Sequence, residues 1–371
     1  MSTVETRQND ANSDRLQTGL TNEFDQPVEG VSLAKDAWRR LKKNRMAMFG
    51  LVMVALYALV SLLAPILPIH SYRFQIIDHA HLPPSLTKTA GELWYETTRD
   101  YMLRVAEKEG RDTLSEAQQA ELQTILERVE NERMEIDGQV VNPHNRRYLL
   151  GTDYLGRDML ARIIYGGQVS IAIGLVGTIT SVLIGILFGS IAGYIGGSVD
   201  YMIMRVVDVM YGLPYMLIVI ILMAIFGRSI INLFLALSLV SWLTVARVVR
   251  GQIISLKNSE FVEAARSMGA STGRIILRHL LPNTMGIIIV FTTLRVPSFI
   301  MMEAFLSFLG LGISAPYASW GSLVGDAVEG MSNYPWRLFF PALAMTLFLF
   351  AMNFLGDGLR DAFDPHSKNR L

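Results

Sequence analysis

The stretch Ser170-Ile-Ala-Ile-Gly-Leu-Val-Gly-Thr-Ile-Thr-Ser-Val-Leu-Ile-Gly-Ile-Leu-Phe-Gly-Ser-Ile-Ala-Gly-Tyr194 decides the class of this protein. It carries no charged side chain over 25 residues. A helix of that length, rising ~1.5 Å per residue, crosses the ~30 Å hydrocarbon core of a bilayer. The charge-free window around it is wider still, Ile163–Val199.

Similar windows lie on both sides. Met46–Tyr72 holds no charge, and its Met48–Ile69 part reads as the first span. Val209–Gly227 and Ser229–Ala246 are separated by Arg228 alone. Thr284–Met302 is apolar except for Arg295, and Leu338–Gly356 closes the series. One such window is compatible with a buried helix of a soluble core. Six in one chain predict an all-α polytopic membrane protein with six transmembrane helices.

The distribution of charge agrees. Only 18% of the 371 residues are charged, and 51% are apolar. Residues 1–45 hold 15 charges and residues 71–167 hold 28, so the remaining body is too apolar to face water. Basic and acidic side chains balance at 33 each, which gives no support to nucleic-acid binding. The absence of cysteine excludes disulfides, thiolate metal sites, Fe–S clusters and cysteine nucleophiles. The first apolar run starts after 45 residues and has no A-x-A site behind it, so a cleaved signal peptide is not expected.

Lys and Arg in short flanks set orientation. Lys35, Arg39, Arg40, Lys42, Lys43 and Arg45 precede the first span, which predicts a cytoplasmic N-terminus. Six crossings return the C-terminus, with Arg360, Lys368 and Arg370, to the same side. The loop between spans four and five is then also cytoplasmic. It carries Arg247, Arg250, Lys257, Arg266, Arg274 and Arg278 against Glu260 and Glu263.

Residues 1–34 are polar and read as a disordered tail, followed by an amphipathic helix over Ser32–Arg45. The outer segment reads as a helical hairpin over 90–137. Its first helix is expected over Gly91–Glu109, stopped by Gly110. Thr113 and Glu116 have the spacing of a capping box, and the second helix is expected to run to about Ile136, ended by Asp137–Gly138. Beyond it, Thr152 or Asp153 is placed to cap a short helix on the outer face. The insert is either a solvated decoration or a docking surface for a soluble partner.

The inner loop reads Glu263-Ala-Ala-Arg-Ser-Met-Gly269-Ala-Ser-Thr-Gly-Arg-Ile-Ile-Leu-Arg-His-Leu-Leu-Pro282-Asn283. Two short helices with a sharp turn are expected. Asn258 or Ser259 caps the first, and Glu260 and Glu263 sit in its first turn, where the helix dipole favours them. Ala264 and Ala265 keep it thin, and Gly269 supplies the turn at positive φ. Ser271 caps the second helix, which Pro282 ends. A thin helix on such a loop fits a groove of another protein and can push spans four and five as a rigid body.

This loop resembles the EAA loop of ABC importer permeases, through Glu263, Ala264, Ala265, Gly269, Leu281 and Pro282. The general pattern has an aliphatic residue where this chain has His279; the ending Arg-His-x-Leu-Pro-Asn at 278–283 is similar to that of the peptide branch. Further likenesses to the dipeptide/oligopeptide permeases are Gly151-Thr-Asp with Gly156-Arg-Asp, Arg247-Val-Val-Arg250 and Phe261-Val-Glu-Ala-Ala. Leu306-Ser-Phe-Leu-Gly-Leu-Gly312, Ser319-Trp-Gly321 and Gly356-Asp-Gly-Leu-Arg-Asp-Ala-Phe-Asp-Pro365 complete the set. The chain resembles the second permease subunit of that family most.

The resemblance implies a type I importer permease fold in the bacterial cytoplasmic (inner) membrane. It implies a homologous sister permease, two cytoplasmic ATPases that bind ATP and Mg, and an extracytoplasmic substrate-binding protein. Glu263, Ala264, Ala265, Arg266, Gly269, Ala270 and Pro282 would then form the coupling helix and its surroundings. The implied organisation is a cytoplasmic tail and interfacial helix at 1–45, a first transmembrane helix at 46–69 and an extracytoplasmic insert at 70–150. A five-helix permease core at 151–365 contains the coupling loop 247–283, and a tail at 366–371 follows. The expected cargo is an oligopeptide or dipeptide. Nickel, glutathione or an oligosaccharide are alternatives within the family, and a membrane scaffold or receptor displaying the outer hairpin is the alternative outside it.

Single residues refine this. Arg295 sits near the middle of span five, where a charge usually faces a cavity or a partner. It is expected to line the translocation path and meet peptide carboxylates, or to form an ion pair with Glu303 or the sister subunit. Glu303 is expected in the cavity or at the outer gate. Asp208 and Arg205 are expected to pair at i,i+3. His79-x-His81 lacks the further ligands a metal site needs. No Walker A pattern occurs, so ATP hydrolysis is not expected in this chain, and no cofactor is expected to reside in it.

Overall fold

The computed structural model describes residues 33–136 and 138–363. The tail expected over 1–34 lies outside the described residues except at its end, and the tail at 366–371 lies wholly outside them. Helix α1 (Leu33–Lys43) turns at Asn44 into α2 (Arg45–Leu63); the Asn44 side chain caps α2 by accepting from the Ala47 amide at 3.1 Å. Ala37 and Leu41 of α1 bury against the last span.

The insert contains α3 (Ala90–Lys108), α4 (Glu116–Asn131) and an antiparallel hairpin of β1 (Met134–Ile136) and β2 (Gln139–Val141). Two sequence expectations change here. The capping box of α4 is Ser115 with Gln118, not Thr113 with Glu116. Both frames fit the pattern, and packing chooses: Leu114, just before the cap, joins Leu122, Ile125 and Met102 in one cluster. The second helix also stops at Asn131 and not at Ile136, because Met134–Ile136 pairs with Gln139–Val141 across Gly138, at φ +79°. Asp137 itself lies outside the described residues.

The spans follow. Helix α5 (Met159–Ile195) is one unbroken helix of 37 residues and includes the stretch expected as a separate short helix. Its cap is Asp158, which accepts from the Leu160 amide at 2.9 Å; Thr152 and Asp153 are used elsewhere. The third span is broken: α6 (Gly197–Tyr211) and α7 (Tyr215–Phe226) meet at 83°. Pro214 precedes α7, and its ring forbids a continuing helical hydrogen bond there. Helix α8 (Ile230–Leu256) leads to the loop helix α9 (Glu260–Ser267). After a turn, α10 (Thr272–Phe308) runs for 37 residues, α11 (Trp320–Val328) is short, and α12 (Trp336–Phe363) ends the bundle. Five helices are long and apolar enough to cross a membrane, or six with the bent pair as one span.

Pro282 does not end a helix. Thr272 begins a helix that continues through Pro282 into the fifth span. The turn before the proline, Ile276–Leu280, is π-helical, and the Leu281 amide donates to Ile276 O five residues back. The wider turn makes room for the ring that would clash in a regular helix.

Close packing of α5 on α8 rests on Gly185, Gly189 and Gly193, spaced four apart on one face. A methyl group at Gly185 would lie 2.5 Å from Val245 Cβ, and one at Gly189 would lie 2.5 Å from Ala246 O. Small residues at this spacing let membrane helices approach backbone to backbone, where lipid supplies no hydrophobic drive for association.

Candidate functional site

The loop helix α9 is built as its sequence requires, with one difference. Ser259 occupies the cap position, but its hydroxyl donates to Leu256 O at 2.6 Å and accepts from no amide of the first turn. Ser271 likewise stands at a helix start without a side-chain cap bond. Glu260 and Glu263 lie in the first turn of α9. At its end the Gly269 amide donates to Arg266 O and the Ala270 amide to Ala265 O, both at 3.0 Å, with Gly269 at φ +80°. This pair of bonds around a left-handed residue is the Schellman arrangement.

The two faces of α9 do different work. Val262 and Ala265 are buried, packed with Val249 and Ile253 of α8 and Ile275 and Leu280 of α10. Ala270 packs at the edge of that cluster. Ala265 therefore serves α9 as an internal contact. Glu263, Ala264, Arg266 and Gly269 face outward, as does Pro282 nearby. Among the described residues the side chains of Glu260, Glu263, Arg266, Arg274 and Arg278 make no salt bridge or hydrogen bond. Exposed apolar groups lie between them: Met268 is 81% exposed, Leu277 67% and Phe261 39%. Sequence reading overlooked Met268 and Leu277. The available signal was that Val262 and Ala265 already fill the inward face, so a large apolar residue out of their phase has nothing inside to meet.

Above the loop, α6 is tied to α8 by two ion pairs. Arg250 Nε and Nη2 donate to Asp200 Oδ1 and Oδ2 at 2.5 and 2.6 Å, and Arg247 Nη2 donates to Asp208 Oδ1 at 2.6 Å. The expected Arg205–Asp208 pair is absent. Arg205 instead donates to the Tyr201 hydroxyl at 2.6 Å, because the Arg247 guanidinium takes Asp208 from the facing helix.

Arg295 lines a cavity of about 350 Å³ between the bent pair, α8 and α10. Tyr211, Tyr215, Ser241, Thr244 and Ser298 give it polar walls, and Phe299 and Met302 close it. Arg295 has no salt bridge or hydrogen bond among the described residues. Glu303 does not share this cavity. It is fully buried, and its Oε1 accepts from Ser307 Oγ and Ser319 Oγ, both at 2.6 Å. It locks α11 onto α10, where Gly321 leaves no room for a side chain: a methyl group there would lie 2.5 Å from Ala304 Cα. Trp320 adds a bond from Nε1 to Ile163 O at 2.9 Å.

At the opposite end the charges are consumed internally. Asp153 accepts from the Leu155 and Arg157 amides, from Arg157 Nε at 2.7 Å and from Arg162. Burial raises its pKa, and the charges of Arg162 and Arg157 outweigh that and hold it below the usual range. A second chain runs from the Tyr148 hydroxyl to His79 Nδ1 at 2.9 Å, from His79 Nε2 to His144 Nδ1 at 2.9 Å, and from His144 Nε2 to Glu132 at 3.0 Å. Burial and the neighbouring His144 push His79 down to about 3. His81 turns away and stacks on Tyr334, so the two histidines of the motif do not converge. No cluster of three or more His, Cys, Asp or Glu side chains suited to a metal occurs among the described residues.

Comparison with known proteins matches residues 185–369 to the binding-protein-dependent transport system inner membrane component. Residues 32–84 match the N-terminal TM domain of oligopeptide transport permease C. The dipeptide transport system permease protein DppC of Bacillus subtilis is 39% identical over 336 residues, covering 90% of this chain and 86% of that protein. The oligopeptide transport system permease protein OppC of Escherichia coli is 38% identical over 341 residues, covering 92% and 94%. The corresponding OppC of Haemophilus influenzae is 47% identical over 221 residues, covering 60% and 71%.

Proposed function

This chain belongs to the binding-protein-dependent permease family, in its oligopeptide and dipeptide branch, and on that premise we propose how its parts serve ATP-driven peptide import. It is a multi-pass membrane permease of the second-subunit type. It pairs with a homologous permease to enclose the path. Two ATPases bind ATP and Mg on the cytoplasmic side, where both termini and the loop 247–283 also lie. A binding protein delivers peptide on the other side, where the insert lies. These partners, the cytoplasmic placement of the termini and the site of ATP hydrolysis are readings from the family and from the positive flanks.

One observation carries the coupling role: the outward face of α9 presents unpaired charges beside exposed Met268 and Phe261, while its inward face is fixed to α8 and α10. An ATPase groove that takes this face moves α8 and α10 with it. The cavity at Arg295 then changes access between the two sides. Arg295 offers peptide carboxylates a guanidinium with no ion-pair partner among the described residues, in a cavity whose other polar walls are uncharged. The test is uptake of labelled peptide into vesicles holding the purified complex of both permeases and both ATPases, fed by the binding protein. ATP-dependent accumulation is expected. Arg295→Gln should depress uptake of acidic peptides more than of basic ones. Equal uptake of every charge class by that variant removes Arg295 from the path.

A further inference from the structure

Resting on the coupling role above, the structure assigns to Asp208 a switch between two arginines, Arg247 on the facing helix and Arg205 on its own. The observations come from three elements. The turns of α8 that carry Arg247 and Arg250 also carry Val245, Val249 and Ile253, which pack with Val262 and Ala265 of the coupling helix. One segment of α8 therefore holds α9 by its apolar face and α6 by its cationic face. On the α6 side, the Arg247 guanidinium lies 4.0 Å from the centre of the Tyr211 ring as well as on Asp208. The Tyr211 hydroxyl lies 2.5 Å from Thr244 Oγ1. Tyr211 and Thr244 both line the Arg295 cavity, and Tyr211 stands at the 83° bend between α6 and α7. The Asp208 pair is thus the polar link between the coupling helix and the cavity wall.

A second partner is already in place. Arg205 precedes Asp208 by three residues, a spacing at which helical side chains meet on one face. In this structure Arg205 rests on the neutral Tyr201 hydroxyl, a weaker acceptor than a carboxylate. The Asp208–Arg247 pair is half-exposed, so both side chains have room to move. Packed apolar faces deform little and travel as one body. A charge-assisted hydrogen bond is either made or lost within about an ångström. When α8 slides against α6, Asp208 therefore leaves Arg247 and is taken by Arg205. Tyr211 loses the cation above its ring and is freed to move the cavity wall. Two discrete partners for one carboxylate give the two arrangements that a transmitted displacement requires. Asp200 and Arg250, held by two bonds at the base of α6, serve as the pivot.

The test uses the complete complex in vesicles and reads peptide taken up per ATP hydrolysed. Arg205→Gln and Arg247→Gln should each lower that ratio roughly tenfold, the scale of a typical coupling between sites, while assembly and thermal stability hold. Arg205→Lys and Arg247→Lys should recover much of it. Combining Asp208→Asn with either glutamine variant should add no further loss, because all three act as one unit. A static strut gives a different result: Arg247→Gln and Asp208→Asn lower the ratio and Arg205→Gln leaves it unchanged. That pattern overturns the switch. A second readout is independent of cargo. Spin labels on Met204→Cys of α6 and Gly251→Cys of α8 should change separation when a non-hydrolysable ATP analogue binds, and should fail to do so in Arg205→Gln. An unchanged separation in the otherwise native complex also overturns the switch. Absence of ATP-dependent peptide uptake with a normal label response instead overturns the assigned cargo and leaves the switch standing.

Discussion

The two ends of this bundle treat charge in opposite ways. At the insert end, Asp153, Arg157 and Arg162 are each at most 3% exposed and bind one another. Glu132, His144, His79 and Tyr148 form a second closed chain. At the loop end, Glu260, Glu263, Arg266, Arg274 and Arg278 stand in the open without partners among the described residues. Polar groups satisfied within the chain stabilise its shape. Polar groups left free, with Met268 and Phe261 among them, are available to another protein. The contrast sets a structural buckle at one end against the open surface proposed for coupling at the other.

The contrast breaks most sharply at Gly269. Nothing lies within 4 Å of the position a Cβ would take there, so Gly269→Asp meets no clash and costs only the left-handed backbone strain, about 1–2 kcal/mol. The added carboxylate and the strain at φ +80° fall on the surface proposed to meet the ATPase. ATP-dependent uptake should disappear while the purified variant still folds and joins its sister permease, with its unfolding midpoint lowered by only a few degrees; retained uptake contradicts the coupling assignment. Asp153→Ala acts at the other end and through the other mechanism. It leaves two buried guanidinium groups uncompensated, a loss of about 3–5 kcal/mol. Thermal unfolding of the variant in detergent should show it, and a shift below about 1 kcal/mol would falsify the buried network as a stabilising unit.

Smaller effects separate the ends further. Phe261→Ser with Met268→Ser should weaken ATPase binding by about tenfold or more, with little change in stability, since exposed apolar anchors at interfaces commonly carry over 1 kcal/mol each. Titrating the ATPase onto the permease pair measures this; unchanged affinity places the docking surface elsewhere. The insert should lose stability on acidification. His79 is held near 3 when folded and titrates near 6.5 when unfolded, so below ~6.5 the unfolded state binds more protons and stability falls with pH, by up to ~1.4 kcal/mol per unit. Protection factors for hydrogen exchange over residues 90–145, taken against the intrinsic rate at each pH, should fall between pH 6.5 and 4.5 while those of α9 change little. An equal fall in both places means that the histidine chain is not the cause. Ser115→Ala should cost about 1 kcal/mol locally at the start of α4 and leave uptake intact.

Much of this was legible because the governing physics is local. Charge-free length predicted the spans. Gly269 in the turn after α9 follows from that turn's need for positive φ, and the motif 319–321 stands out in the sequence before its packing role is visible. What escaped is set by tertiary choice. Two capping frames fit 113–118, and the packing of Leu114 selected one. Pro282 reads as a stop signal, yet a π-turn built from neighbouring backbone carries the helix through it. Asp208 has an i,i+3 partner in sequence, and a facing helix outcompetes it. Glu303 looked like a path residue because a charge in a span usually is one. Ser307 and Ser319, 16 residues away at the farther, bind its Oε1 from inside, while Oε2 is buried without a partner among the described residues. Long-range partners of this kind leave no periodic signature.

The central claim, that the outward face of α9 is held by a partner ATPase, is open to one direct measurement. The chain has no cysteine, so Met268→Cys introduces a single thiol at an exposed position. Treating the assembled complex with a short thiol-to-amine cross-linker should join this chain to the ATPase in high yield, with the yield changing when ATP is added. The same thiol placed at exposed Leu126 of the insert should give no such product. A cross-link to the ATPase from Leu126→Cys and none from Met268→Cys would contradict the account.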